Sequence, residues 1–142
     1  MKYLNFAGWH WYAADNAEKT DPEKGGKWMH FFSDEVFARI ACERAIEEGV
    51  CDSCKCTDTA ATGKPTGVIC FYLNADDIDG HKRVIEFMLQ NNMIQKTKTG
   101  KLYNISFKLN SQTRAHEYGD DYKGKITLDR FVDLKTGEWI YK

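Results

Sequence analysis

The sequence predicts an α+β fold: a curved, mostly antiparallel sheet with two helices packed on one face. Three observations carry this. Several short segments alternate apolar and polar residues, the period of a half-buried strand. The strictest is 103–110, where Tyr103, Ile105, Phe107 and Leu109 point one way and Asn104, Ser106, Lys108 and Asn110 the other. Two further segments carry apolar residues at helical spacing behind acidic N-terminal residues. The strands are joined by hairpin-length connections, with the helices segregated.

Taken in order, residues 3–11 read as a strand with Trp9 and Trp11 on one face and His10 on the other. The two indoles are either a stacking platform for a base or two core anchors. Residues 14–26 lack periodicity and hold a Pro and a Gly-Gly pair, so a flexible loop is expected. In the next strand, 26–32, Trp28, His30 and Phe32 share a face opposite Met29 and Phe31. Ser33 reads as the N-cap of a helix over 34–48, with Val36, Phe37, Ile40, Ala41 and Ala45 as its apolar stripe and Gly49 as its stop. Cys51, Cys54 and Cys56 have a spacing that suggests a metal, but a closed site needs a fourth ligand. The preferred reading is a strand with Cys54 and Cys56 in the core and Ser53, Lys55 and Thr57 on the polar face. Residues 60–66 form a turn, 67–73 a nearly continuous apolar central strand, and 78–92 a helix burying Val84, Ile85, Met88 and Leu89. The strand at 103–110 follows, then Thr113, Arg114 and His116, all hydrogen-bond donors. A last strand is expected over 125–131, and Trp139 and Ile140 as a terminal anchor.

The chain as a whole sets limits. Its 142 residues favour one domain, 1–142, able to bury a core without staples. A formal net charge of −1 does not support binding to long duplex nucleic acid. There is no apolar run of transmembrane length and no apolar leader in residues 1–14, so a cytoplasmic protein without a membrane partner is expected. Five cysteines, an odd number, are expected as reduced thiols. No cofactor and no metal site is expected.

Three blocks of the sequence resemble a known family in order. They are GKWMHFF with the helix ending in Glu48-Gly49, the Lys55 strand followed by VICFYLNADD and its helix, and Lys108-Leu109-Asn110-Ser111-Gln112-Thr113, similar to a K-x-D-x-x-T pattern. Over roughly 26–113 the chain resembles the basophilic-leukemia-expressed-protein family, putative phosphothreonine lyase domain proteins with an initiation factor 4E-like fold. The resemblance implies a curved sheet with helices on its convex back. It also implies that Trp9, Trp11 or Trp28 stacks a base while Lys55, Lys108 and Arg114 hold phosphate. Asn110 stands where the pattern has Asp.

The function expected is a small binding module for a nucleotide or phosphorylated small ligand on the concave sheet face. Lys55, Lys108, Asn104, Ser106, Asn110, Thr113, Arg114, Trp9, Trp11 and Trp28 would form the site. Such a chain fits a phage or mobile-element protein that sequesters a signalling nucleotide or blocks host defence. The alternative is a carbon–oxygen lyase acting on phosphothreonine, with Lys108 or Lys55 as base and His30 or His116 as acid. A third reading is a protein–protein inhibitor of a host enzyme, presenting the loops at 14–26 and 117–123. The balance leans away from an enzyme.

Overall fold

In the computed structural model the described residues are 1–17, 23–111 and 126–141. They form β1 (Lys2–Phe6), β2 (Trp9–Ala13), β3 (Gly25–Phe32), α1 (Glu35–Glu47), β4 (Ser53–Thr57), α2 (Thr59–Thr62), β5 (Gly67–Asn74), α3 (Ile78–Gln90), β6 (Ser106–Leu109) and β7 (Ile126–Thr127), with a 3-10 turn at Leu128–Arg130. The strands make one sheet in the order β1-β2-β4-β5-β3-β6-β7. Every pairing among the described residues is antiparallel. The α+β reading holds, and β5 is central as its apolar run implied.

The strand expected over 3–11 is a hairpin. Ala7 (φ 55°) and Gly8 (φ 85°) both take positive φ, the geometry of a tight two-residue turn between twisted strands. Trp9 and Trp11 therefore belong to β2, with Trp9 opposite Phe6. The loop expected over 14–26 is shorter, because Gly25 and Gly26 join β3; residues 18–22 lie outside the described residues.

Helix α1 is capped by Asp34 rather than Ser33: the Asp34 carboxylate accepts from the Val36 and Phe37 N–H groups. Its buried face is Ala38, Ala41, Cys42, Ala45 and Ile46. Val36 and Ile40 are 69% and 51% exposed, so the expected apolar stripe is wrong at its large residues. Small side chains let the helix lie close to the sheet, and the bulky ones are left at the rim. Helix α3 buries Val84, Ile85 and Met88 as expected, and adds His81 and Phe87.

The strand expected over 103–110 shortens to β6. Its upstream half spends its hydrogen bonds elsewhere: Tyr103 N–H donates to Gln95, and the Asn104 carboxamide accepts from Asp129 N–H. The strand expected over 125–131 ends after Thr127, where the chain turns into the 3-10 segment. Trp139 and Ile140 are largely exposed; Phe131 and Val132 are buried in their place.

Helices α1 and α3 cover one face of the sheet. There Tyr12, Trp28, Cys54, Cys56, Ile69, Phe71 and Phe107 are buried with the helix residues. Trp28 sits at the centre, its ring 5.9 Å from those of both Phe107 and His81. All five cysteines are free thiols and buried.

Candidate functional site

The opposite face of the sheet is built by register. Directly paired residues in antiparallel strands share a face. One row runs Trp11, Lys55, Cys70, Met29 across β2, β4, β5 and β3. The next runs Ser53, Tyr72, Lys27, Lys108 across β4, β5, β3 and β6. Trp9, two residues from Trp11, lies on the same side. Three lysines, two indoles and a phenol thus stand on the face away from α1 and α3.

Lys55 is the hub. Its Nζ lies 3.8 Å from the Trp9 ring centre, 4.6 Å from that of Trp11 and 5.9 Å from that of Tyr72. Among the described residues it has no carboxylate partner within ion-pair distance. Burial among these rings holds its ammonium below the usual lysine value, and the Lys27 charge lowers it further. Lys27 Nζ is 5.9 Å from the Tyr72 ring and donates to Asn110 Oδ1 at 3.3 Å. Lys108, only 7% exposed, is also held low, first by burial and then by Lys27.

The expected residues divide into five groups. Lys55, Trp9 and Trp11 come together. Lys108, Ser106 and Asn110 lie toward the other edge, with Lys27 between. Lys55 and Lys108 share the face but are not neighbours: β5 and β3 separate them, roughly 14 Å between backbones at about 4.8 Å per strand. The two lysines expected to hold one phosphate together are thus apart; Lys27 pairs with Lys108 and shares the Tyr72 ring with Lys55. Asn104 is off the strand, its carboxamide used by Asp129. Thr113, Arg114 and His116 lie outside the described residues.

Trp28 and His30 are on the covered side. Trp28 is fully buried and donates from Nε1 to His81 Nδ1 at 2.9 Å, so it is a core anchor and not a stacking surface. His30 has Nδ1 2.6 Å from the Met93 carbonyl, and burial lowers its pKa. It cannot act as acid to a lysine on the far side of the sheet.

Sequence reasoning missed Lys27, Cys70 and Tyr72. Alternation in GKWMHFF puts Lys27 opposite Trp28, which was a readable signal. What could not be read was the order β4-β5-β3, which inserts Tyr72 and Lys27 between the two expected lysines. Burial pushes the Cys70 thiol up, while the lysines act to lower it.

No protein-family model matches the chain, and no curated protein matches it.

Proposed function

We propose that the open sheet face binds a small phosphorylated ligand carrying a planar ring, a nucleotide being the class that fits best. The supporting observation is the group of Lys55, Trp9 and Trp11. Indoles offer faces on which any base stacks, a contact worth about 1–3 kcal/mol. The ammonium between them is partly desolvated and gains from an anion. A base on one indole and a phosphate moved toward Lys55 and Lys27 would satisfy both. A curved sheet with helices on one side also suits the initiation factor 4E-like reading of the fold, although fold alone does not carry function. In this reading the chain works in the cytoplasm by holding a signalling nucleotide, as a phage or mobile-element protein acting on host defence would.

Titration calorimetry against mono-, di- and cyclic nucleotides, read together with indole fluorescence, tests it. Expected is saturable binding with indole quenching. Lys55→Ala should weaken it by about 1.5–3 kcal/mol, the range for a charged hydrogen bond. Absence of binding across the panel, or unchanged affinity in Lys55→Ala, rejects the reading.

The lowered ammonium groups of Lys55 and Lys108 favour a second reading, a lysine base for phosphothreonine elimination. That reading has lost His30 as its acid. Phosphothreonine peptides that stay intact at high protein concentration, with no loss of phosphoric acid by mass spectrometry, reject it.

A further inference from the structure

Behind the indoles, on the helix side of the same strands, three ligating side chains converge. His10 comes from β2, Glu35 from the first turn of α1, and Asp58 from the cap of α2. His10 Nε2 is 3.0 Å from Glu35 Oε1 and 4.0 Å from Asp58 Oδ1. The three ligand atoms lie within 4.8 Å of one another, and among the described residues no other trio of His, Cys, Asp or Glu does. The imidazole is 8% exposed, and the side chains of Asp58 at 16% and Glu35 at 27% are partly exposed to solvent.

Each group is held by neighbours, and the Thr59, Ala60 and Ala61 N–H bonds fall on the ligating oxygens themselves. Tyr3 Oη is 2.7 Å from His10 Nδ1. Thr59 donates from its backbone N–H to Glu35 Oε1 and from its hydroxyl to Oε2. Asn5 donates to Asp58 Oδ2, and the Ala60 and Ala61 N–H groups donate to Oδ1. Both carboxyls are held below their usual range. For Glu35, burial acts to raise the pKa and is outweighed by the two Thr59 bonds and by His10; for Asp58, the Asn5 bond lowers it most.

A hydrogen bond explains only part of this. The Nε2–H serves Glu35; at 4.0 Å, Asp58 is beyond hydrogen-bond range. A second anionic oxygen is thus brought up to the same ring edge without a proton between them. An ion bonded at about 2.0–2.2 Å would meet all three, because ligands on such a tetrahedral ion stand about 3.3–3.6 Å apart. The His10–Glu35 separation of 3.0 Å is slightly inside this and the His10–Asp58 separation of 4.0 Å slightly outside, so loading draws the Asp58 oxygen inward.

We propose that His10 Nε2, Glu35 Oε1 and Asp58 Oδ1 bind a divalent transition cation of the zinc, cobalt or manganese class, with the remaining positions open to water. One imidazole and two carboxylates suit that class. Three protein ligands with an open side are the pattern of a reactive rather than a purely structural site. On loading, the Nε2 proton moves to Nδ1 and is donated to the Tyr3 oxygen, which can accept it, while the Asn5 NH2 group, 3.3 Å from Nδ1, keeps the Trp9 carbonyl and Asp58 Oδ2 as its acceptors. The lateral support from Tyr3, Thr59 and Asn5 is the kind that fixes metal ligands in place. Nothing here depends on the nucleotide reading, because the site faces the other side of the sheet.

Manganese is the probe of choice, since it favours carboxylate over the chain's buried thiols. Mn²⁺ titration followed by water-proton relaxation should show one saturable site below millimolar. Glu35→Gln and Asp58→Asn, which keep shape and capping oxygen, should each weaken it about tenfold or more. NMR of the unaltered protein gives a check that needs no variant. Of the four histidines in the sequence, the His10 ring signals should broaden first as Mn²⁺ is added. Absence of saturable binding, equal affinity in both variants, or earlier broadening of another histidine overturns the proposal.

Discussion

The two faces of this sheet are made from alternate residues of the same strands, yet they differ in how the polar group at the centre of each is held. On the covered face each polar side chain is matched within the protein. Arg39 donates to the Tyr12 hydroxyl, and His81 is held between the Trp28 indole and the Ala75 carbonyl. Among the described residues no buried side-chain nitrogen or oxygen lacks a partner. On the open face Lys55 is set against aromatic rings, and its charge is disfavoured by burial. Packing under helices demands that a polar group be satisfied internally. A face that α1 and α3 do not cover can leave that satisfaction to a ligand. The difference says where stability resides and where binding does.

The largest test removes one indole from each face. Trp28→Ala should cost about 3–5 kcal/mol, because it empties the centre of the aromatic cluster and strands His81. Trp11→Ala should cost less than half as much. Urea denaturation of both decides it, and equal losses would erase the distinction between the faces. Gly26→Ala comes next. A Cβ there would stand 2.6 Å from the Lys108 carbonyl and from the Phe107 ring, so β6 must shift away from β3. Overpacking of this kind costs roughly 1–3 kcal/mol. It should also disturb Lys27 and Lys108 on the open side, which would show that the two faces are mechanically joined.

Acid should act on the covered face. His81 accepts the indole N–H at Nδ1, so Nε2 carries the proton given to Ala75; only the neutral ring makes both bonds. Burial lowers the pKa of both His81 and His30 from the usual 6.5. The unfolded chain therefore binds protons that the folded chain refuses. Stability is complete above about pH 6.5 and falls as pH drops from there to the lowered folded values, below which these two groups add no further loss. Melting temperature against pH measures this. A flat profile between pH 7 and 5 would mean that the rings protonate freely in the folded state.

How much could be read from the sequence follows the same division. Helix α3 was legible because Val84, Ile85 and Met88 are large and at helical spacing, so pattern and burial agree. Helix α1 was placed correctly and Ala41 and Ala45 are buried as expected, but Val36 and Ile40 attract attention and stay outside, while Ala38, Cys42 and Ile46 complete the buried side. Alternation put Lys55 and Lys108 on one face correctly, since the pleat is local. It could not say what lies between them, because strand order is a long-range property. The trio of His10, Glu35 and Asp58 was invisible for that reason too: its members are far apart in sequence and are joined only when β2, α1 and α2 meet.

The smallest stability effect is the sharpest test of the comparison. Lys55→Ala removes cation–aromatic contacts worth about 0.5–1 kcal/mol at a partly exposed site. It also relieves a partly desolvated charge, whose cost is visible in its lowered pKa. These terms oppose each other, so the urea midpoint should move little. A side chain in contact with three aromatic rings that can be removed without unfolding the protein is one whose role lies in binding. If the substitution instead destabilises by more than about 2 kcal/mol, beyond what such contacts supply at a partly exposed site, then Lys55 is a structural clamp on Trp9 and Trp11. The open face would then be a second packing layer, and the nucleotide reading would lose its central residue.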